Sequence, residues 1–441
     1  YGQGGTHQFS NNTFTGNHGR GYGGAVYCFT GTFSFTESTF TNNTSKVPLN
    51  YPYPMLSAGY IANGGAIGSV NANVTITECA FLGNNAYVFS NVKNANGGAV
   101  FLKGGSHTIT DNIFTGNSAT HLPTGVQVCW GGAVYVEQAN AQITYNEFRQ
   151  NLSHGSGGAL HFMQGTHFVS HNLFTENEAI GNGGAFSCSS TTMDVVNNLF
   201  TNNSINGHGG AIYSALGGGT NRYVNNTFYG NRTTVNNAGG GIYLNGRTDH
   251  ILNCIFWNNE VNGSTIAGGA DVTAYNSNNS TFLNNTNQST SSPINPLLTD
   301  AANGDFSLSS NSPCINAGNN AHFLSTYGNE DYIGNSRIYA NTIDIGAIEY
   351  QGNVTTGISA HSALESLQIF PNPANNTVMI TYNEASSERV NAVIYTLNGT
   401  EVKNLILQNR SYIDVSDLAP GVHIMIIKTE KERKQLKLVK L

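Results

Sequence analysis

Charge is what this sequence has least of. Asp, Glu, Lys and Arg make up 10% of its 441 residues, against roughly 25% in an ordinary globular protein. Lys and Arg number 18 and the formal net charge is −7. A nucleic-acid partner is therefore not expected, because no basic patch is available to displace phosphate counterions. No apolar run reaches the roughly 18 residues of a membrane-spanning helix. An initiator Met and a signal peptide are also missing. The chain opens Tyr1-Gly2-Gln3-Gly4-Gly5, which reads as a processed chain or as a piece of a longer precursor.

In place of charge there are 52 Gly and abundant Asn, Ser and Thr. Gly supplies positive φ, and Asn tolerates the left-handed region and bonds its own backbone. Such a composition suits short strands joined by tight turns. Aromatic residues at 10% argue against disorder. The length predicts two or three domains.

Internal repeats organise the chain. The pattern N-x-F-x-x-N, with some first-position swaps, centres on Phe14, Phe40, Phe81, Phe114, Phe148, Phe174, Phe200, Phe228, Phe256 and Phe282. An Asn follows each Phe by three residues, from Asn17 to Asn285. A second pattern, G-G-A followed by an apolar residue, starts at Gly23, Gly64, Gly97, Gly131, Gly157, Gly183 and Gly209, with degenerate copies at Gly239 and Gly268. From each G-G to the next Phe the distance is 17 residues in seven of nine cases. From Phe to the next G-G it ranges from 9 to 24. One arc is fixed and one corner accepts insertions, as in a solenoid. The residue five before each Phe is apolar or aromatic in nine of ten repeats, so that column faces the core of a strand-built coil. These features predict about ten parallel β-helix coils over residues 1–285, with the ten Asn stacked as an amide ladder. Counting 17 back from Phe14 places a G-G step before Tyr1, so the first coil is expected to be incomplete. The six cysteines fall in no pair adjacent in both column and coil, which predicts buried free thiols.

The repeats resemble those of polymorphic outer-membrane adhesins. Asn295-Pro296-Leu297, Asn303-Gly304-Asp305-Phe306, Ser312-Pro313-Cys314 and Asp344-Ile345-Gly346 resemble the end segment, often called choice-of-anchor, of bacterial β-helix proteins. Residues 286–350 are therefore expected to close the helix, covering an open last coil. Residues 351–364 read as a linker. Residues 365–441 carry Pro371-Asn372-Pro373, Asn398-Gly399, Asp414, Leu418, Gly421, Lys437 and Lys440 in the order of a type IX secretion C-terminal sorting domain of Bacteroidota. That resemblance implies a small Ig-like β-sandwich, with the type IX translocon and a sortase as partners. It also implies a secreted or outer-membrane-surface location. The expected fold class is all-β: a right-handed parallel β-helix followed by that sandwich.

Chemistry is sparse. Gly207-His208-Gly209 resembles a short polygalacturonase motif, but the partner motifs are absent and His208 simply precedes a repeat G-G. One constellation stands out. Three residues before the Phe, coils 2 to 4 carry Glu37, Glu78 and Asp111. Three carboxylates at rung spacing would attract a cation such as calcium. The same coils hold the long insertions, with Tyr51, Tyr53, Tyr60, Tyr87, Phe89, His121 and Trp130, aromatics suited to stacking on sugars. A further stripe, Tyr27, Phe101, Tyr135, Tyr213 and Tyr243, follows the G-G-A step and reads as strand packing. The sequence leaves three readings open: an adhesin or scaffold binding glycan or another surface, a polysaccharide lyase or glycoside hydrolase with its site in coils 2 to 4, or a structural filament subunit.

Overall fold

The computed structural model describes residues 1–47, 61–88, 94–121, 129–215, 217–266, 269–275, 280–288, 293–352, 367–370, 372–381, 390–396, 400–407, 411–428 and 433–441. They form two compact units, Tyr1–Gly352 and Asn353–Leu441. Among the described residues no helix is long and apolar enough to cross a membrane.

The first unit is a right-handed parallel β-helix. Every coil adds a rung to a 16-stranded sheet (sheet 1), a ten-stranded sheet (sheet 2) and a nine-stranded sheet (sheet 3). Coil 2 shows the plan. Strand Val26–Thr36 lies in sheet 1, Thr39–Thr41 in sheet 2 and Thr44–Val47 in sheet 3. Sheet 1 bends midway, where Thr30 and Gly31 have positive φ. The corner from sheet 1 to sheet 2 is a single left-handed residue, with φ between 48° and 57° from Asn11 to Asn253. It breaks the alternation of facing, so residues on both sides of the corner point inward. The G-G step is a demand of the backbone. Gly64 has φ of +66°, and a Cβ on Gly65 would lie 2.0 Å from the Gly98 carbonyl of the next coil.

Inside, the repeat becomes three ladders. Nine Phe rings, Phe14 to Phe256, stack with centroids 4.6–5.0 Å apart and planes within 9° of parallel. Beside them run nine Asn, Asn17 to Asn259. Each amide nitrogen donates to the next Asn Oδ1 at 2.8–3.0 Å. The ladder ends where Asn259 Nδ2 donates to the carboxylate of buried Asp271 at 3.3 Å. A second polar ladder lies two residues before each Phe, with Asn112, Asn146, Asn172 and Asn198 bonded in series. Cys79 and Cys254 occupy rungs of it. Their sulfurs accept from the Ser38 and Asn226 backbone N–H groups at 3.4 and 3.5 Å, taking over the role of an Asn oxygen. All six cysteines are free and buried.

The tenth repeat is not in the expected register. Phe282 pairs with Ile251, and Asn287 with Phe256. Phe282 thus occupies the column five before the Phe, and Asn285 caps the second ladder through Cys254 N. Among the described residues no further coil covers it, and Phe282 is 41% exposed. The degenerate G-G also shifts by one. Gly240 N bonds Gly269 O at 3.3 Å, which puts Asp271 in the column otherwise held by Ala66, Ala99 and Ala133.

The segment 293–350 is more a lateral clasp than an end cap. It touches the last coil, with Thr286 Oγ1 3.4 Å from Cys314 Sγ. Most of it runs back along the flank. The corner residues of coils 6 to 9 hold it by hydrogen bonds. His171 Nε2 and Asn197 Nδ2 meet Glu330 O at 3.2 and 2.9 Å. Asn225 Nδ2 donates to Asp344 O at 2.8 Å, and Gly346 N donates to Asn253 O at 2.8 Å. Leu199 packs with Phe306, Ala347 and Ile348. Inside the clasp, Arg337 and Glu349 form a buried ion pair at 2.7 Å.

The second unit has a three-stranded and a four-stranded antiparallel sheet. Val378, Ile380 and Ile413 of the first and Ile394, Met425 and Leu438 of the second share one apolar core. It is a small β domain.

Candidate functional site

The rings of the G-G corner make a continuous outer cluster along coils 1 to 5, continued by His161 of coil 6. Tyr27 lies 5.5 Å from Tyr1 and 5.2 Å from Tyr22. At the next rung the column holds Gly68, so Tyr22 reaches across to Phe101 at 5.9 Å. Phe101 continues to Tyr135 at 5.5 Å. Trp130 stacks on both Tyr135 and His161, at 5.9 and 5.7 Å. Phe101, Tyr135 and His161 are buried beneath. Tyr1, Tyr22, Tyr27 and Trp130 are exposed or half-buried. Burial raises the Tyr27 phenol above its ordinary value and holds the His161 imidazole down at about 3, so the cluster is uncharged near neutral pH. Of the stripe read from sequence as strand packing, Phe101 and Tyr135 are the floor of this cluster and Tyr27 is part of its surface, while Tyr213 and Tyr243 stack on each other at 5.8 Å in later coils.

The insertions leave from the same margin. The chain departs after strands ending at Val47, Val88 and His121 and returns at Ala62–Asn63, Ala95–Asn96 and Cys129–Trp130. Of the aromatics expected there, Tyr51, Tyr53, Tyr60 and Phe89 lie outside the described residues. Trp130 joins the ring cluster. Tyr87 and His121 stay on sheet 3, in the strands after which the chain departs, and His121 packs edge-on against His154 at 5.2 Å.

Glu37, Glu78 and Asp111 occupy the left-handed corner between sheets 1 and 2, exposed, with φ of 48°, 53° and 57°. Their backbone N–H groups bond Thr77 O, Thr110 O and Thr144 O of the next coils at 3.1–3.3 Å. They share one column, at a different corner from the one where the chain departs into the insertions and returns. From Tyr27 to Glu37 is roughly 30 Å of strand path. Among the described residues no three His, Cys, Asp or Glu are grouped to hold a metal ion. In coils 6 to 9 this same column is His171, Asn197, Asn225 and Asn253, which hold the clasp. A carboxylate cannot donate to the clasp carbonyls as an Asn amide does. Among the described residues the acids therefore stand, like Asn11 and Tyr145, in coils whose corner does not hold the clasp. His208 sits on a rung at the G-G corner, with its N–H bonded to Asn182 Oδ1 at 3.2 Å and its ring 4.6 Å from Tyr243.

In the second unit, Asn372 ties its segment to the last strand, donating to Lys437 O at 2.6 Å and accepting from Val439 N at 2.7 Å. Asp414 accepts from the Ser416 hydroxyl and N–H at 2.6 and 2.9 Å, and these bonds hold its carboxyl below the usual range. Leu418 and Lys440 are buried, whereas Gly421, at φ of +133°, opens the strand Gly421–Lys428. Pro373 lies on the same turn, while Pro371 and Gly399 lie outside the described residues. These residues build the fold's turns and final strand pairing.

Residues 1–200 match the family model of the right-handed beta helix region. Residues 199–215 match the Chlamydia polymorphic membrane protein repeat. Residues 368–441 match the secretion system C-terminal sorting domain. A comparison with curated proteins returns no match.

Proposed function

We propose that this β-helix, exported by the type IX system to the cell surface or beyond it, is a non-enzymatic scaffold that takes a glycan at the ring cluster of coils 1 to 5. One observation carries the reading: a continuous uncharged run of rings, Tyr1 to Trp130, borders the very corner from which all three long insertions leave. Aromatic faces pack against the apolar faces of sugar rings, and loops on a rigid scaffold are the usual place for specificity. The insertions, with Tyr51, Tyr53, Tyr60 and Phe89, would supply the rest of the site. A lyase or hydrolase would need an acid or base beside these rings. Of the described groups there, His161 is buried beneath the rings, and Glu137, on the strand of Tyr135, is paired with Lys103 at 2.7 Å.

The test is a glycan array with the full chain, with and without calcium, followed by product analysis of any hit. Trp130→Ala and Tyr22→Ala should weaken binding at least tenfold and leave the melting temperature within a few degrees of wild type. Shortened oligosaccharide products would mark the protein as an enzyme. Binding indifferent to both substitutions would remove the ring cluster as the site.

A further inference from the structure

The outer face of sheet 1, on the far side of its bend from the rings, changes character halfway along the helix. Its central column in coils 1 to 5 reads Gln8, Ser34, Thr75, Thr108 and Gln142. The flanking columns run from Ser10 to Thr144 and from Thr6 to Asn140, and every member is Ser, Thr or Asn. All fifteen positions are exposed or half-buried and none is charged. The next rungs of the central column are Phe168, Asp194 and Arg222. There the face is covered by the clasp. Tyr327 stacks on Phe168 at 6.1 Å, donates to Asp194 at 2.9 Å and accepts from Arg222 at 3.1 Å. Among the described residues, one sheet face is therefore already an interface in its second half and bare in its first.

We infer that the bare half is a second docking surface, whose partner is the flat face of an ordered, uncharged, hydroxyl-bearing polysaccharide solid. Three properties of the face select that chemistry. It is an open sheet face, exposed or half-buried at every one of these positions, whereas a soluble small ligand is held in a concave site. It is rigid and periodic, with rungs about 4.8 Å apart along the axis and like-facing side chains about 6.7 Å apart along each strand. A fixed lattice of donors and acceptors meets another lattice with little ordering cost. Within the lattice the groups are already aligned: Thr144 Oγ1 donates to Thr110 Oγ1 at 3.1 Å along the column. Charge decides the rest. No Lys or Arg lies on the grid, and Glu37, Glu78 and Asp111 line its edge, so a polyanionic polymer is repelled and a neutral one is not.

The surface is separate from the ring cluster, and the two are tested apart. The full chain is sedimented with microcrystalline cellulose and with crystalline chitin, and assayed for ice binding by thermal hysteresis. Wild type should sediment with at least one polysaccharide. The double variant Thr75→Lys/Thr108→Lys and, independently, Gln142→Lys should each lower the sedimented fraction at least fivefold. Melting curves identify a variant that has lost its fold, and two variants at different coils keep the test decisive. Trp130→Ala should sediment as wild type does. Failure of wild type to bind either solid, sedimentation unaffected by both grid variants, or binding to ice alone would each overturn the inference. Loss of sedimentation in Trp130→Ala would move that binding to the rings.

Discussion

Asn117 makes four hydrogen bonds from one side chain. Its oxygen accepts from the Asn84 backbone and side chain at 3.0 and 2.9 Å. Its nitrogen donates to Phe81 O and Asn151 Oδ1 at 2.9 and 3.0 Å. Every bonding capacity of the amide is used, wholly inside the protein. Asn117→Ala should therefore cost more than the usual 1–3 kcal/mol of an unsatisfied buried group, because it strands partners in two neighbouring coils. A loss of about 3 kcal/mol or more in denaturant unfolding is expected. A loss under about 1 kcal/mol would show that water replaces the rung. The need for these Asn was legible in the sequence, because an amide held at one fixed distance from each Phe must meet its own kind one rung away. The tenth copy was misleading for the same reason. Phe282-x-x-Asn285 imitates the motif five residues out of register, and its short spacing from Gly268 and the polar Ser277 five before Phe282 hinted at this. The left-handed corner residues were not legible as such. Glu37, Tyr145 and His171 share a backbone conformation that their chemistry does not advertise.

The bend of sheet 1 turns on buried histidines as well as glycines. His107 and His167 occupy one inward column, each with Nε2 3.1–3.2 Å from a carbonyl three residues back. Burial pushes both imidazoles down to about 4. In the unfolded chain they take protons near pH 6.5. The unfolded state thus binds more protons between about pH 6.5 and 4, and stability falls as pH falls through that window, by roughly 3 kcal/mol per histidine at most. Glu147 and Glu349, pushed up by burial to about 6 and about 7, contribute with the opposite sign. They are common to wild type and variant, so they drop out of a comparison. Met193 already stands one rung from His167, which makes His167→Met a tolerable change. Urea unfolding at pH 7 and pH 4.5 should show a smaller loss in the variant than in wild type; equal losses would refute the assignment. The clasp shows what the sequence could and could not say at this level. Its motifs pointed to a closing element, but nothing in them shows that His171, Asn197 and Asn225 would receive it along the flank.

The chain divides its labour between a solenoid that presents surfaces and a sorting domain that directs export. The two have separate cores. Deleting residues 365–441 should leave the melting of the β-helix within about 2 °C and abolish export, read as retention of the protein inside the cell. Normal secretion of the deletion would count against the sorting assignment. One feature of the core gives the solenoid a direction. All nine Asn amides point the same way, nitrogen toward the later coil, so their dipoles add along the axis as peptide dipoles add along an α-helix. The positive end of that column lies at Asn259, and the residue facing it is the carboxylate of Asp271. The stack therefore terminates in an acidic acceptor, and its two ends are electrically unlike.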